Sequence, residues 1–141
     1  MNVQSIDIDL PSHPFPDAIM RQIREHCEQA YPNEAYGIVT RGKGDDMLVL
    51  RAEEDGTPDS YTMSASLILN ARQQGEMVAF YHSHPDACAS PSIQDLATMT
   101  LGDQPSWPGI TWLIGSVYDA RCVDIRAYLW NASLTDFVRV E

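Results

Sequence analysis

Apolar and polar residues alternate through Val3-Gln4-Ser5-Ile6-Asp7-Ile8-Asp9-Leu10. This predicts a half-buried strand, which the prolines between 11 and 16 end. From 17 to 31 the apolar spacing changes to three and four residues. Ile19, Ile23, Cys27 and Ala30 then share one face of a helix that Pro32 and Asn33 stop. Short apolar runs at 34–40 and 47–52 flank Arg41-Gly42-Lys43-Gly44-Asp45-Asp46 and predict a hairpin. An acidic loop at 53–59 leads to a short expected strand at 61–64 and a helix over 64–74 that Gly75 ends. Residues 77–82 are apolar up to His82, as in a central strand buried on both faces. The next helix is expected from Ser90-Pro91-Ser92. Ser90 is its cap, Pro91 sits in its first turn, and Ile93, Leu96, Ala97, Thr100 and Leu101 turn inward. Beyond a proline-containing loop at 102–109, strands are expected at 110–117, 122–130 and 137–140, largely antiparallel because their connectors are short. This order predicts one α/β domain over 1–141, a mixed and mostly antiparallel central sheet flanked by helices, without repeat or linker.

Composition supports a folded chain and narrows its partners. With 141 residues, 44% hydrophobic and 21% charged, the protein buries enough surface to fold without a disulfide or structural metal. Twenty acidic residues against nine basic ones give a formal charge of −11. That charge repels phosphate backbones and makes nucleic acid an unsuitable partner. The acidic excess has plainer readings too, as a soluble surface or an adaptation to a salty cytoplasm. Cys27, Cys88 and Cys122 are widely spaced and contain no C-x-x-C pair. They form neither a disulfide framework nor a cysteine-rich zinc site, and a reducing compartment is expected. No apolar run reaches the roughly 18 residues of a membrane span, and no basic-then-apolar leader opens the chain. The expected location is therefore cytoplasmic, away from membranes.

The chemistry concentrates in His82-Ser83-His84-Pro85, followed by Ser92 and Asp95. Two residues apart on a strand, His82 and His84 present both imidazoles to one side. The stretch up to Asp95 is long enough for a loop and a first helical turn to return a carboxylate over the strand end. Three such protein ligands leave one position open, the usual arrangement of catalytic rather than structural zinc.

Together with Glu34-Ala35-Tyr36-Gly37 after a helix, this pattern resembles the JAMM zinc metallopeptidases, the MPN-plus domain, across nearly the whole chain. The resemblance implies a layered fold like that of cytidine deaminases, with one Zn²⁺ held by His82, His84 and Asp95. It also implies that Glu34 hydrogen-bonds the zinc-bound water and that Ser92 helps stabilise the oxyanion. The implied reaction is hydrolysis of a peptide or isopeptide bond at the C-terminus of a ubiquitin-like or sulfur-carrier protein. The compact prokaryotic type is the nearer resemblance, because the segment before the histidine strand and the 102–109 loop are both short. Related domains occur in phage tail assembly and as non-catalytic interaction scaffolds, and these are the alternative functions.

Several residues carry competing readings. Ser92-Ile93-Gln94-Asp95 is also a capping arrangement, although Pro91 favours Ser90 as the cap. Glu34, taken alone, reads as a solvated strand-edge carboxylate. Tyr36 stands where the family often has cysteine, with a consequence for packing behind Glu34. His13 and His26 read as surface residues. Cys88 reads as a loop thiol, with a redox switch or a fourth zinc ligand as the other options. Phe80, Tyr81, Trp112 and Trp130 read as core, and Trp107 as a candidate for substrate contact.

Overall fold

The computed structural model describes residues 15–140. The strand expected at 3–10 and His13 lie outside the described residues. Helix α1 (Asp17–Ala30) buries Ile19, Ile23, Cys27 and Ala30 as their spacing predicts, and Met20 and His26 with them. Strand β1 (Tyr36–Arg41) returns through a short 3₁₀ turn (Lys43–Asp45) into β2 (Met47–Arg51). Helix α2 (Ala65–Gln74) starts at Ser64, whose side chain accepts the Leu67 N–H, and ends at Gly75. The long strand β3 (Glu76–Pro85) follows, then α3 (Ile93–Met99). The chain closes with β6 (Thr111–Tyr118), β7 (Arg121–Asn131) and β8 (Asp136–Arg139).

The six main strands form one sheet in the order β2-β1-β3-β6-β7-β8. Only β3 and β6 run parallel, and the other neighbours are antiparallel. The fold is thus a single α/β domain with a mixed sheet. A parallel pair needs a crossover, and 86–110 supplies it with α3. This places the loop carrying the candidate ligands over the C-terminal end of β3.

Alternation along β3 separates two apolar cores. Ala79 and Tyr81 face α1, with Ile19, Ile23, Leu113 and Ile125. Phe80 faces the other side, with Leu67, Ala71, Met99, Trp112 and Ile114. Each large aliphatic or aromatic side chain buried here contributes about 1.5–3 kcal/mol, so both layers anchor β3 firmly. His82 and His84 share the Phe80 face by the same period of two. Gly37 is needed where β1 crosses Tyr81, because a Cβ there would stand 2.5 Å from the tyrosine ring.

The structure corrects five expectations. Residues 61–64 form no strand; they lead into α2, with Ser64 as its cap. The 102–109 loop includes half of a small hairpin, β4 (Thr100–Leu101) against β5 (Gln104–Pro105). The α3 cap is Ser92, not Ser90. The inward face of α3 is Asp95 and Met99, with the expected Leu96 partly buried against the core, while Ile93 is 90% exposed and Leu101 76% exposed. His26 is buried rather than on the surface. Asp55 can only accept, so the His26 Nε2–H donates to it at 3.0 Å while Nδ1 accepts the Tyr81 hydroxyl at 2.6 Å. A neutral imidazole satisfied at both nitrogens is stable inside, and burial accordingly lowers its pKa.

Candidate metal centre

Three segments meet at the end of β3. On β1's side, Tyr36 pairs with His82, and the Ala35 N–H and C=O bond the Ser83 Oγ and N–H at 2.8 and 3.0 Å. That register sets Glu34 opposite His84. The acidic loop fixes the Glu34 backbone, whose N–H donates to Thr57 O and whose carbonyl accepts the Gly56 N–H. On the other side, three carbonyls of the 86–90 loop are tied down. Ala87 O accepts from the Ser116 hydroxyl, Cys88 O from His84 Nδ1, and Ala89 O from the Tyr128 hydroxyl. Cys88 therefore serves the site through its carbonyl, while its thiol is exposed and outside the ligand cluster.

From that anchored loop α3 begins with a reciprocal capping box. The Asp95 N–H donates to Ser92 Oγ, and the Ser92 N–H donates to Asp95 Oδ2, each at 3.0 Å. The capping reading of Ser92 is thus realised. It occupies an acceptor lone pair and leaves the hydroxyl proton free. The same Asp95 carboxylate has a second role. Asp95 Oδ2 lies 2.9 Å from His84 Nε2, Asp95 Oδ1 lies 3.2 Å from His82 Nε2, and the two Nε2 atoms are 3.2 Å apart.

This geometry fits a metal ion. Donor atoms at zinc's usual 2.0–2.1 Å in a tetrahedral shell stand roughly 3.3 Å apart, close to the spacings found here. His84 Nδ1–H donates to the Cys88 carbonyl, which leaves Nε2 of the neutral ring as a bare ligand atom. Three acceptor atoms then converge in a buried place where their lone pairs repel unless a cation or proton lies between them. With a proton rather than a cation between the groups, hydrogen bonds from His82 and His84 outweigh the burial that opposes the Asp95 charge and hold the carboxyl far below the usual range. Burial lowers His82. For His84, burial is outweighed by Asp95 and the Cys88 carbonyl, so its pKa rises. Among the described residues, His82, His84 and Asp95 are the group able to hold a metal ion, and all three are buried. The metal-ligand assignments from the sequence thus come together in space.

Glu34 is not a solvated edge carboxylate: it is 5% exposed, and its Oε1 is buried without a partner. Burial, helped by Asp95 and Asp59 and opposed by His84, raises its pKa to about 7. Glu34 lines a cleft of about 360 Å³ with Pro58, Asp59, His84, Ser92 and Ile93. A second cavity, about 400 Å³, lies beyond Tyr36 and includes none of the candidate site residues.

Sequence reading missed Tyr61. Its ring lies 4.8 Å from that of His82 at 32°, and Tyr36 stacks behind it at 5.0 Å and 28°. Tyr36 thus packs against Tyr61, the aromatic neighbour of a candidate ligand. Trp107 is half-buried and packs edge-on against Phe80 at the margin of the core.

Comparison with known proteins agrees with the fold and the motif. The prokaryotic homologs of the JAB domain match over residues 16–128. A protein from Salinibacter ruber (strain DSM 13855), solved in solution, is similar over 94% of this chain and 89% of its own, with 26% identity and a TM-score of 0.63. No curated protein matches. No helix among the described residues is long and apolar enough to cross a membrane. With the family pattern spanning most of its length and the His-His-Asp group assembled, the chain belongs to the prokaryotic JAB-domain homologs, of the JAMM/MPN type.

Proposed function

We propose that the protein is a zinc-dependent peptidase that hydrolyses an amide bond at the C-terminus of a ubiquitin-like or sulfur-carrier protein. The observation that carries this reading is Glu34, a buried carboxyl with a pKa of about 7 beside a three-ligand cluster. A group with that pKa exchanges protons in both directions near neutrality, as a general base and then a general acid must.

When bound at His82, His84 and Asp95, zinc supplies Lewis acidity toward a substrate carbonyl and lowers the pKa of water. The protein's own groups do the rest. Glu34 accepts the proton of the attacking water and returns it to the departing amine. The Ser92 hydroxyl, with its proton uncommitted by the capping box, donates to the oxyanion. His84 is held in one tautomer by the Cys88 carbonyl. The cleft beside Glu34 is open on one side, and a narrow extended tail fits it better than a folded surface. The short connections around the site favour small carriers over long ubiquitin chains.

The test is zinc content together with hydrolysis of carrier fusions. Zinc-loaded protein is expected to release a carrier with a free C-terminus, and Glu34→Gln to keep zinc while losing roughly 10²–10⁴-fold in turnover. Failure of the zinc-loaded wild type to cleave any of several carriers would overturn the reading. Retained turnover in the variant would remove Glu34 from it.

A further inference from the structure

The two histidines of the cluster are oriented in different ways. His84 donates its Nδ1–H to the Cys88 carbonyl at 2.8 Å, the usual means of fixing a ligand imidazole. His82 has no such bond: its Nδ1 is buried and meets no hydrogen-bonding group among the described residues. Its ring is 1% exposed and lies against the Tyr61 ring, 4.8 Å between centroids and 32° between planes, and Tyr61 in turn stacks with Tyr36.

We propose that Tyr61 is the positioning residue of His82, its ring face doing for this ligand what the Cys88 carbonyl does for His84. The inference rests on the metal-site reading above. Two contacts divide the task. The Tyr61 face fixes the plane of the imidazole, since a quarter-turn about the Cβ–Cγ bond would drive the ring edge into the tyrosine. The Asp95 carboxylate, 3.2 Å from His82 Nε2, selects which of the two in-plane orientations is kept. Tyr36 stacks with Tyr61 and buttresses it. The aromatic residue at position 36, where the resembling family often has cysteine, thereby acquires a role in the site. Tyr61 comes from the irregular 53–64 segment that also pins the Glu34 backbone through Thr57 and Gly56. One segment thus sets both the proton carrier and a metal ligand.

The role belongs to the ring, so Tyr61→Phe and Tyr61→Leu separate it from any role of the hydroxyl. In the metal-free protein, the His82 ring protons, assigned by their loss in His82→Ala, are expected to show a ring-current shift in NMR spectra. That shift should persist in Tyr61→Phe and vanish in Tyr61→Leu. The Trp112 indole and Leu67 methyl signals should stay in place and exclude a general loosening of the fold. Zinc affinity measured against a competing chelator is expected to be unchanged in Tyr61→Phe and about tenfold or more weaker in Tyr61→Leu. Tyr61→Leu binding zinc as tightly as wild type would overturn the proposal, as would Tyr61→Phe falling as far as Tyr61→Leu. Wild type that binds no zinc would instead sink the metal-site reading. The ring-current shift of the metal-free protein would still report whether Tyr61 holds His82.

Discussion

Glu34 and Ser92 each hold two properties that substitution can separate. The Glu34 carboxyl has a folded-state pKa of about 7, against 4.5 for the ordinary group. Between those values the folded protein holds a proton that the unfolded chain has released, so stability falls as pH rises through that window. In metal-free protein, Glu34→Gln should therefore melt above wild type at pH 8, with the difference closing as pH falls below 5. A melting difference that is the same at both pH values would show that the carboxyl does not titrate as described. Ser92 caps α3 through an oxygen lone pair and retains a proton to donate. Glycine is a tolerable cap that costs only a few tenths of a kcal/mol relative to serine, and it carries no hydroxyl. Ser92→Gly is expected to melt close to wild type while turnover falls about 10²-fold, the usual effect of losing one oxyanion donor. A parallel fall in melting temperature and activity would leave Ser92 with its capping role alone.

At the scale of elements, helix α3 explains why some of the site was legible in the sequence and some was not. His82 and His84 could be placed on one face because a strand's period of two is local and strict, and Asp95 followed from its distance along the chain. The orientation of α3 could not be read from its apolar spacing. Its inward face is set by Asp95, which must reach both imidazoles, and by Met99 one turn on, so Ile93 is carried out to solvent. Pro91 pointed to a helix start two positions too early because the reciprocal Ser92–Asp95 box outweighs proline's preference for the first turn. Tyr61 and His26 were illegible for a different reason. His26 is explained by Asp55 and Tyr81, 29 and 55 residues away, and Tyr61 by Tyr36 and His82 on separate strands. No local pattern encodes such contacts. The α3 assignment has a direct consequence for stability. Met99→Ala, at a fully buried position, should lower unfolding free energy by about 2–5 kcal/mol. Ile93→Ser should change it by no more than about 0.5 kcal/mol, as measured by urea denaturation. The reverse ranking would mean that α3 packs through the face its apolar residues first indicated.

Across the whole molecule the sheet supplies rigidity and the surface supplies charge, and these respond differently to solvent. The two apolar cores on either side of β3 are insensitive to salt at moderate concentration. The chain carries twenty acidic residues against nine basic ones, with Glu34 and Asp95 buried. Among the described residues, carboxylate–arginine pairs include Arg41 with Glu76 and Arg126 with Asp124. Such exposed pairs are each worth about 0–1 kcal/mol, so screening them costs little. The remaining carboxylates repel one another over distances comparable to the Debye length, about 30 Å at 0.01 M salt and 3 Å at 1 M. Added salt therefore removes more repulsion than attraction. At pH 7.5 in excess chelator, which keeps metal occupancy out of the comparison, the melting temperature is expected to rise steadily from 0.01 to 1 M sodium chloride. Most of the rise should come below about 0.2 M, where the screening length changes fastest. A flat or falling curve would mean that the acidic groups are balanced locally and that the net charge of −11 is not a force acting on the fold.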